Sequence, residues 1–486
     1  METSFQFIQD FWPHFLTTVT VLAMVATAVH VIMHKHDTRA AIGWLGLTWF
    51  SPVFGVCLYW LFGINRIQRR AKIKFADRVS VALPRLDVLV SANQIGAIFG
   101  KHDSGMTALH SLTDQVTTRP LLDGNRIEAL QNGDQAYPAM LSAIAEARIS
   151  ITLATYIFDD DSWGKKFRDA LRTAVRRGVE VRVLIDAVGA RYSFPSIIGE
   201  LERDGIRVAT FMKTILPWRF RYLNLRSHRK IMVTDGRTGF SGGMNIREGC
   251  VLGDNPAYPL QDLHFKIEGP VVAELQQVFA EDWAFSTEEK LAGPAWFPVQ
   301  ELRGGVLARG ISDGPDEDLN KLRFVMMGAI AVARRSIRIA TPYFLPDNEL
   351  VAALQIAALR GIKIQILLPG TSNLRMVKWA SDALLEELLR SGCQIHYSAA
   401  PFDHSKMMVV DGEWVLLGSA NWDARSLRLN FEFNMECYDL DLARIMEEIL
   451  AEKERQATEL TLPDLDSKKI AARMRNRFFR LFSPYL

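Results

Sequence analysis

The middle of this chain is written twice, and that repetition limits its fold more than any other feature. The run RISITLATYIF starting at Arg148 returns as RSIRIATPYF at Arg335, 187 residues on. In each copy a strand-like apolar run precedes a helical pattern, a glycine and a second buried strand. The first copy reads 150–158, 165–176, Gly178 and 179–186; the second continues through 349–360, Gly361 and 362–368. Strand–helix–strand order with solidly apolar strands predicts an α/β fold around a buried sheet. Two such halves in one chain predict a pseudo-twofold arrangement with a site where the halves meet.

The strongest echo carries chemistry. His228, Lys230 and Asp235 stand in the spacing His-x-Lys-x4-Asp, followed by Gly236, and His404, Lys406, Asp411 and Gly412 repeat it. Each histidine has an asparagine 17 residues later, Asn245 or Asn421, behind a small pair, Gly242-Gly243 or Gly418-Ser419. Residues two apart on a strand share a face, so each His-Lys pair points the same way. Asp-Gly is a hairpin-turn dipeptide, and Asp235 and Asp411 read mainly as residues that close a turn. Paired across a pseudo-twofold axis, two histidines and two lysines would surround one centre. That set suits a phosphodiester: the lysines neutralise its non-bridging oxygens and the asparagine amides donate to them. One imidazole can attack phosphorus and form a phosphohistidine, while the other protonates the departing alcohol and deprotonates the incoming one. The lysines supply the charge a metal would, so no metal and no other cofactor is expected. An attacking imidazole also needs an acid that fixes its tautomer, and Asp262 and Glu432 are the downstream candidates.

Composition narrows the class. With 57 Lys and Arg against 55 Asp and Glu, the net charge of +2 speaks against a protein that coats nucleic acid. An apolar content of 49% excludes a disordered chain. Cys57, Cys250, Cys393 and Cys437 are far apart with no CxxC pair, which points to buried thiols in a reducing compartment.

Both ends read as membrane-associated. Residues 15–33 and 40–63 carry no Lys, Arg, Asp or Glu, and a bilayer core asks for about 20 such residues in a helix. The expectation is a transmembrane hairpin, with Pro52 kinking the second span. Arg66, Arg69, Arg70, Lys72 and Lys74 follow it with no acid among them. The positive-inside rule then places the large remainder, and the N-terminus with it, in the cytoplasm. Residues 467–486 hold six basic residues and no acid, with Ile470, Met474, Phe478, Leu481 and Phe482 at helical spacing. Such a helix fits an anionic lipid surface, or packs on the protein with its basic face solvated. Residues 211–230 add six more basic positions without an acid, which suits an entrance at an anionic interface.

The duplicated His-x-Lys-x4-Asp with its later asparagine resembles the phospholipase D superfamily over residues 119 to about 436. Within it, the N-terminal apolar pair, YIFDDDSWG, GGMNI, DLHFKIEGP, PYFLPDNEL and GSANWDARSLRLNFE resemble the bacterial cardiolipin synthases. The resemblance implies that two phosphatidylglycerols become cardiolipin and glycerol at a bacterial inner membrane, with His228 as nucleophile and His404 as acid/base. It also implies phosphatidylglycerol, cardiolipin and an anionic membrane surface as partners, no nucleic acid, and leaves an oligomer open. The domains expected are a hairpin and basic stalk at 1–75 and a linker or membrane-proximal layer at 76–118. Halves at 119–300 and 301–460 and a basic tail at 461–486 complete the chain. One departure is Gly243, where the second half has Ser419. The alternatives are a phospholipase D-type hydrolase, a transphosphatidylase with another donor such as phosphatidylethanolamine, a nuclease, or an inactive lipid-binding scaffold.

Overall fold

The computed structural model describes residues 2–35, 38–63, 88–99, 104–117, 119–192, 196–212, 225–315 and 318–483. The basic stretches 66–74 and 213–224 lie outside the described residues. The chain divides into a helical N-terminal unit and a large α/β unit.

The N-terminal unit holds α1 (Glu2–His34), α2 (Thr38–Phe50), α3 (Pro52–Leu58) and a single π-helical turn, Tyr59–Gly63. The stretch Phe11–His34 of α1 is long and apolar enough to cross a membrane. The second apolar run departs from the expected single kinked span. Ser51 leaves the helical region (φ −141°, ψ 75°) and Pro52 opens a new helix, because proline clashes with a helical residue before it and brings no N–H.

The α/β unit is built on one 16-stranded sheet. The first half contributes β1 (Leu122–Gln131), β2 (Ser150–Thr155), β3 (Glu180–Asp186), β4 (Arg207–Phe211), β5 (Arg226–Ser227), β6 (Ile231–Thr234), β7 (Thr238–Gly242) and β9 (Leu263–Glu268), with a short β8 (Leu260–Gln261) beside it. The second half contributes β10 (Val306–Asp313), β11 (Ser336–Ala340), β13 (Lys363–Pro369), β14 (Gln394–Ser398), β16 (Met407–Val410), β17 (Trp414–Gly418), β19 (Asn430–Tyr438) and β20 (Thr458–Leu460). Like β8, three short strands of the second half lie off it: β12 (Phe344–Leu345), β15 (Phe402–Asp403) and β18 (Trp422–Asp423). The order β4-β3-β2-β6-β7-β9-β1-β10-β19-β17-β16-β11-β13-β14-β20 is nearly a palindrome. Its centre is the antiparallel β1–β10 pair, where the halves join edge to edge.

Local chemistry repeats with the topology. Asp161 caps helix Ser162–Arg176 by accepting from Trp163 N and Gly164 N, and Asp347 caps helix Asn348–Leu359 by accepting from Leu350 N. Gly178 and Gly361 end those helices at φ 88° and 90°, a region where only glycine escapes a Cβ penalty. One face of the sheet carries a single apolar core running through both halves, under helices Val272–Thr287 and Leu440–Arg455. The other face has a separate core for each half.

Within 76–118, residues 88–99 and 104–117 are part of this unit rather than a linker. Ile95, Met106 and Leu109 are buried in the second half's core. The fully buried Arg309 of β10 binds Glu436 at 2.7 Å and also pairs with Asp114. At the other end, helix Ile470–Arg480 packs on helix Arg375–Arg390 through Phe479 against Trp379, and Asn476 is buried there. Its other face leaves Ile470, Met474, Phe478 and Leu481 exposed.

Candidate active site

Each histidine is placed by a strand exchange between the halves. β5 pairs in parallel with the start of β19, and His228 N donates to Phe431 O at 2.9 Å. β8 pairs in parallel with β15, and His404 N donates to Gln261 O at 2.7 Å. The residue following each acceptor is an acid of the opposite half. His228 Nδ1 therefore lies 3.0 Å from Glu432 Oε2, and His404 Nδ1 lies 2.8 Å from Asp262 Oδ2. With Nδ1 committed to a carboxylate, Nε2 is the ring nitrogen left for substrate.

The lysines follow one strand step later. Lys230 Nζ donates to His228 O at 2.7 Å, and Lys406 Nζ donates to His404 O and lies 2.8 Å from His404 Nδ1. Both ammonium groups are buried, at 2% and 4% exposure. Burial pulls Lys230 down to about 7 and Lys406 down to about 8, against the pull of Glu432 and Asp262. Burial also holds His228 below its ordinary value despite Glu432, and burial with Lys406 brings His404 down to about 4. Each histidine feels both lysines, so the four side chains form one electrostatic centre. Burial alone would raise Asp262 and Glu432; the cations facing them outweigh it and keep both acids ionised.

The remaining sequence candidates frame this centre. Asn245 Oδ1 accepts from Ile157 N at 3.1 Å, tying the asparagine to the end of β2. Asn421 is buried beside Ser419. Ser419 Oγ donates to Glu432 Oε2 at 2.6 Å. The first half has no room for that hydroxyl, since a Cβ on Gly243 would stand 2.2 Å from Asp262 Oδ1. Asp235 and Asp411 are elsewhere in role. Asp235 accepts from the backbone N–H of Arg148, Ile149 and Ser150, and Asp411 from that of Arg334, Arg335 and Ser336. Both aspartates and the glycines after them have positive φ, between 51° and 67°, the mirror-image turn that Asp-Gly favours.

Four further residues join the site without having been singled out in the sequence. Tyr156 sets its ring edge-on to His228 at 5.4 Å, and Tyr343 does the same to His404 at 6.3 Å. The echo ATYIF and ATPYF was their only signal. Asp186, at the end of β3, accepts from Ser227 N at 2.9 Å and so holds β5. Arg229, between His228 and Lys230, donates to Glu432 O at 3.1 Å and to Asp282 Oδ1 at 2.6 Å.

Sequence similarity agrees with this geometry. The family profile described as "Cardiolipin synthase, PLD-like domain" matches residues 140–283 and 326–453, one copy per half. A second, "Phospholipase_D-nuclease N-terminal", matches residues 22–63. The major cardiolipin synthase ClsA of Bacillus subtilis is 32% identical over 483 residues, covering 97% of this chain and 98% of that protein. This chain belongs to the cardiolipin synthase family. Cardiolipin synthase A of Pseudomonas putida is also 32% identical, over 98% of both chains. As a member of this family the chain is an enzyme, a phosphatidyltransferase of the phospholipase D superfamily that makes cardiolipin. A crystal structure of phosphatidylserine synthase from Haemophilus influenzae superimposes with a TM-score of 0.59 at 16% identity, over 78% of this chain and 100% of that one. That likeness concerns the fold alone.

Proposed function

We propose that this cardiolipin synthase uses phosphatidylglycerol as both donor and acceptor, through a phosphohistidine on His228. The observation that carries the reading is the crossed arrangement: each histidine draws its acid from the other half, so neither half holds a complete site. His228 Nε2 attacks phosphorus, the bond to the headgroup oxygen breaks, and His404 gives that oxygen its proton, releasing glycerol. A second phosphatidylglycerol then loses its hydroxyl proton to His404 and attacks phosphorus, which frees His228 and completes cardiolipin. Glu432 and Asp262 hold the two rings and stabilise their protonated forms. Lys230, Lys406, Asn245 and Asn421 bind the phosphoryl oxygens.

Charge balance supplies the acid. Two lysines against two carboxylates leave the empty site near neutral, with both imidazoles unprotonated. A bound phosphodiester adds one negative charge, which favours protonation of a histidine beside it. Binding the donor thus creates the proton donor.

The lipid substrate accounts for a membrane helix in the same chain as such a site. α1 lies in the inner membrane and the α/β unit lies in the cytoplasm, a reading supported by the basic stretch 66–74. The exposed row Ile470, Met474, Phe478 and Leu481, with Arg473 and Arg477 beside it, rests on the anionic lipid surface. The test is purified full-length enzyme with radiolabelled phosphatidylglycerol in vesicles, in excess EDTA, beside His228→Ala and His404→Ala. Cardiolipin and glycerol from the wild type, and neither from the variants, is expected. Phosphatidic acid as the product would make water the acceptor, and activity that needs added zinc or magnesium would overturn the role given to the lysines.

A further inference from the structure

We propose that α2 and α3 form a re-entrant hairpin, so that the membrane is crossed once, by α1, and the N-terminus lies on the opposite side of the membrane from Lys35 and Arg39. The proposal does not depend on the chemistry above.

Length is the first argument. α2 has 13 residues, about 20 Å at 1.5 Å per residue, and a helix needs about 30 Å to cross. The arm from Pro52 to Gly63 is no longer. Direction points the same way. A Cβ on Gly55 would lie 2.4 Å from Leu47 O and 2.8 Å from Thr48 Cα, an approach that residues eight apart in one continuous helix cannot make. The two arms therefore run back along each other. Farther from the turn the arms still lie side by side, with Tyr59 against Trp44, midway along α2, at 5.4 Å between ring centroids. The second arm also returns to the last turns of α1. The Tyr59 hydroxyl is hydrogen-bonded to His30 Nδ1 at 2.7 Å, and Trp60 Nε1 donates to Thr27 Oγ1 at 2.8 Å.

The tip is built for lipid. Trp49, Phe50, Val53 and Phe54 surround the turn and are 61–94% exposed. An aqueous turn would carry polar residues there. The break itself leaves little unpaired: Ser51 N donates to Leu47 O, Gly55 N donates to Ser51 O, and Pro52 has no N–H.

Charge is the independent argument. Residues 1–34 contain Glu2 and Asp10 and no Lys or Arg. A two-span hairpin would put those acids in the cytoplasm and Lys35 and Arg39 outside. A re-entrant hairpin puts Lys35, Arg39, Arg66, Arg69, Arg70, Lys72 and Lys74 on one face and the acids on the other, which satisfies the positive-inside rule throughout.

The test labels single cysteines in the full-length chain with a membrane-impermeant maleimide, in spheroplasts and in inside-out vesicles. The background is Cys57→Ala, since Cys250, Cys393 and Cys437 are buried. Ser4→Cys is expected to label only in spheroplasts, and Thr38→Cys and Gln68→Cys only in inside-out vesicles. Lys35→Cys reports the same turn if Thr38→Cys fails to make cardiolipin. Positions 38 and 68 labelling from opposite faces would overturn the hairpin, as would all three labelling from the same face.

Discussion

Replacing Glu432 with glutamine tests the crossed architecture at its most sensitive point. Glu432 is fully buried and accepts from His228, Ser419 and Asn430, at 3.0, 2.6 and 3.1 Å. Glutamine keeps the volume and an acceptor oxygen, and Ser419 Oγ has Phe433 O at 3.2 Å as a second partner. What the change removes is one negative charge facing the His228 ring. At an effective dielectric of about 20, unit charges about 4 Å apart interact by about 4 kcal/mol. Keeping the hydrogen bond retains part of that, so Glu432→Gln is expected to lower kcat by about 100- to 1,000-fold. The assay is cardiolipin formation, repeated with a phosphatidyl donor carrying a 4-nitrophenyl leaving group. That group departs without a proton, so release from Asp262→Asn, which impairs the His404 arm, is expected to recover to near wild type. Glu432→Gln is expected to stay slow, because the nucleophile itself is impaired. Cardiolipin synthesis within tenfold of wild type in Glu432→Gln would refute the reasoning. Recovery by Glu432→Gln instead of Asp262→Asn would exchange the roles of the two histidines.

Other outcomes follow from the same geometry. Because Lys230 and Lys406 sit at about 7 and 8 in the empty site, they lose their charge as pH rises through that window. kcat/KM should therefore fall above pH 7 to 8, while the lowered His228 keeps its lone pair below the ordinary histidine range. An activity plateau extending past pH 9 would contradict that (about one unit above the higher lysine). Gly243→Ala should push Asp262 off His404 and lose at least about tenfold in kcat, whereas Ser419→Ala takes from Glu432 one hydrogen bond, about 1 kcal/mol or fivefold in kcat; steady-state rates of both compare the halves. Asp235→Ala and Asp411→Ala each release three backbone N–H groups and should cost about 2–3 kcal/mol of stability by denaturant melts, with kcat per folded molecule nearly unchanged. Replacing Ile470, Met474 and Phe478 together with glutamine should raise the apparent KM for vesicles but not for detergent-dispersed substrate.

The doubled halves were legible because each is an unbroken α/β pattern, punctuated by Gly178 and Gly361 and by the two Asp-Gly turns. The two His-Lys pairs were legible for the same reason, since their spacing is local. The two acids were legible as candidates, but their crossing to the opposite half's histidine was not. That crossing depends on β5–β19 and β8–β15, pairs of two residues each, and no local periodicity marks a two-residue strand. Tyr156 and Tyr343 hid as ordinary strand-end aromatics. Residues 88–117 read as featureless because their apolar side chains, such as Ile95 and Leu109, fill a core that is otherwise built mostly from the second half, from Leu307 onward. The second apolar run shows the limit of composition: 24 charge-free residues at 40–63 look alike whether they cross or turn back at Pro52. Gly55 was the one sign that two helices come close, and a lone glycine does not announce its neighbour.

The most direct test of the central claim is to trap the intermediate. Phosphatidylglycerol labelled in its phosphate would be turned over briefly, quenched in base, and the protein digested and mapped. The account predicts base-stable, acid-labile label on the peptide containing His228, lost in His228→Ala and reduced in Glu432→Gln. Label on the His404 peptide, or cardiolipin formed with no label on the protein, would contradict it.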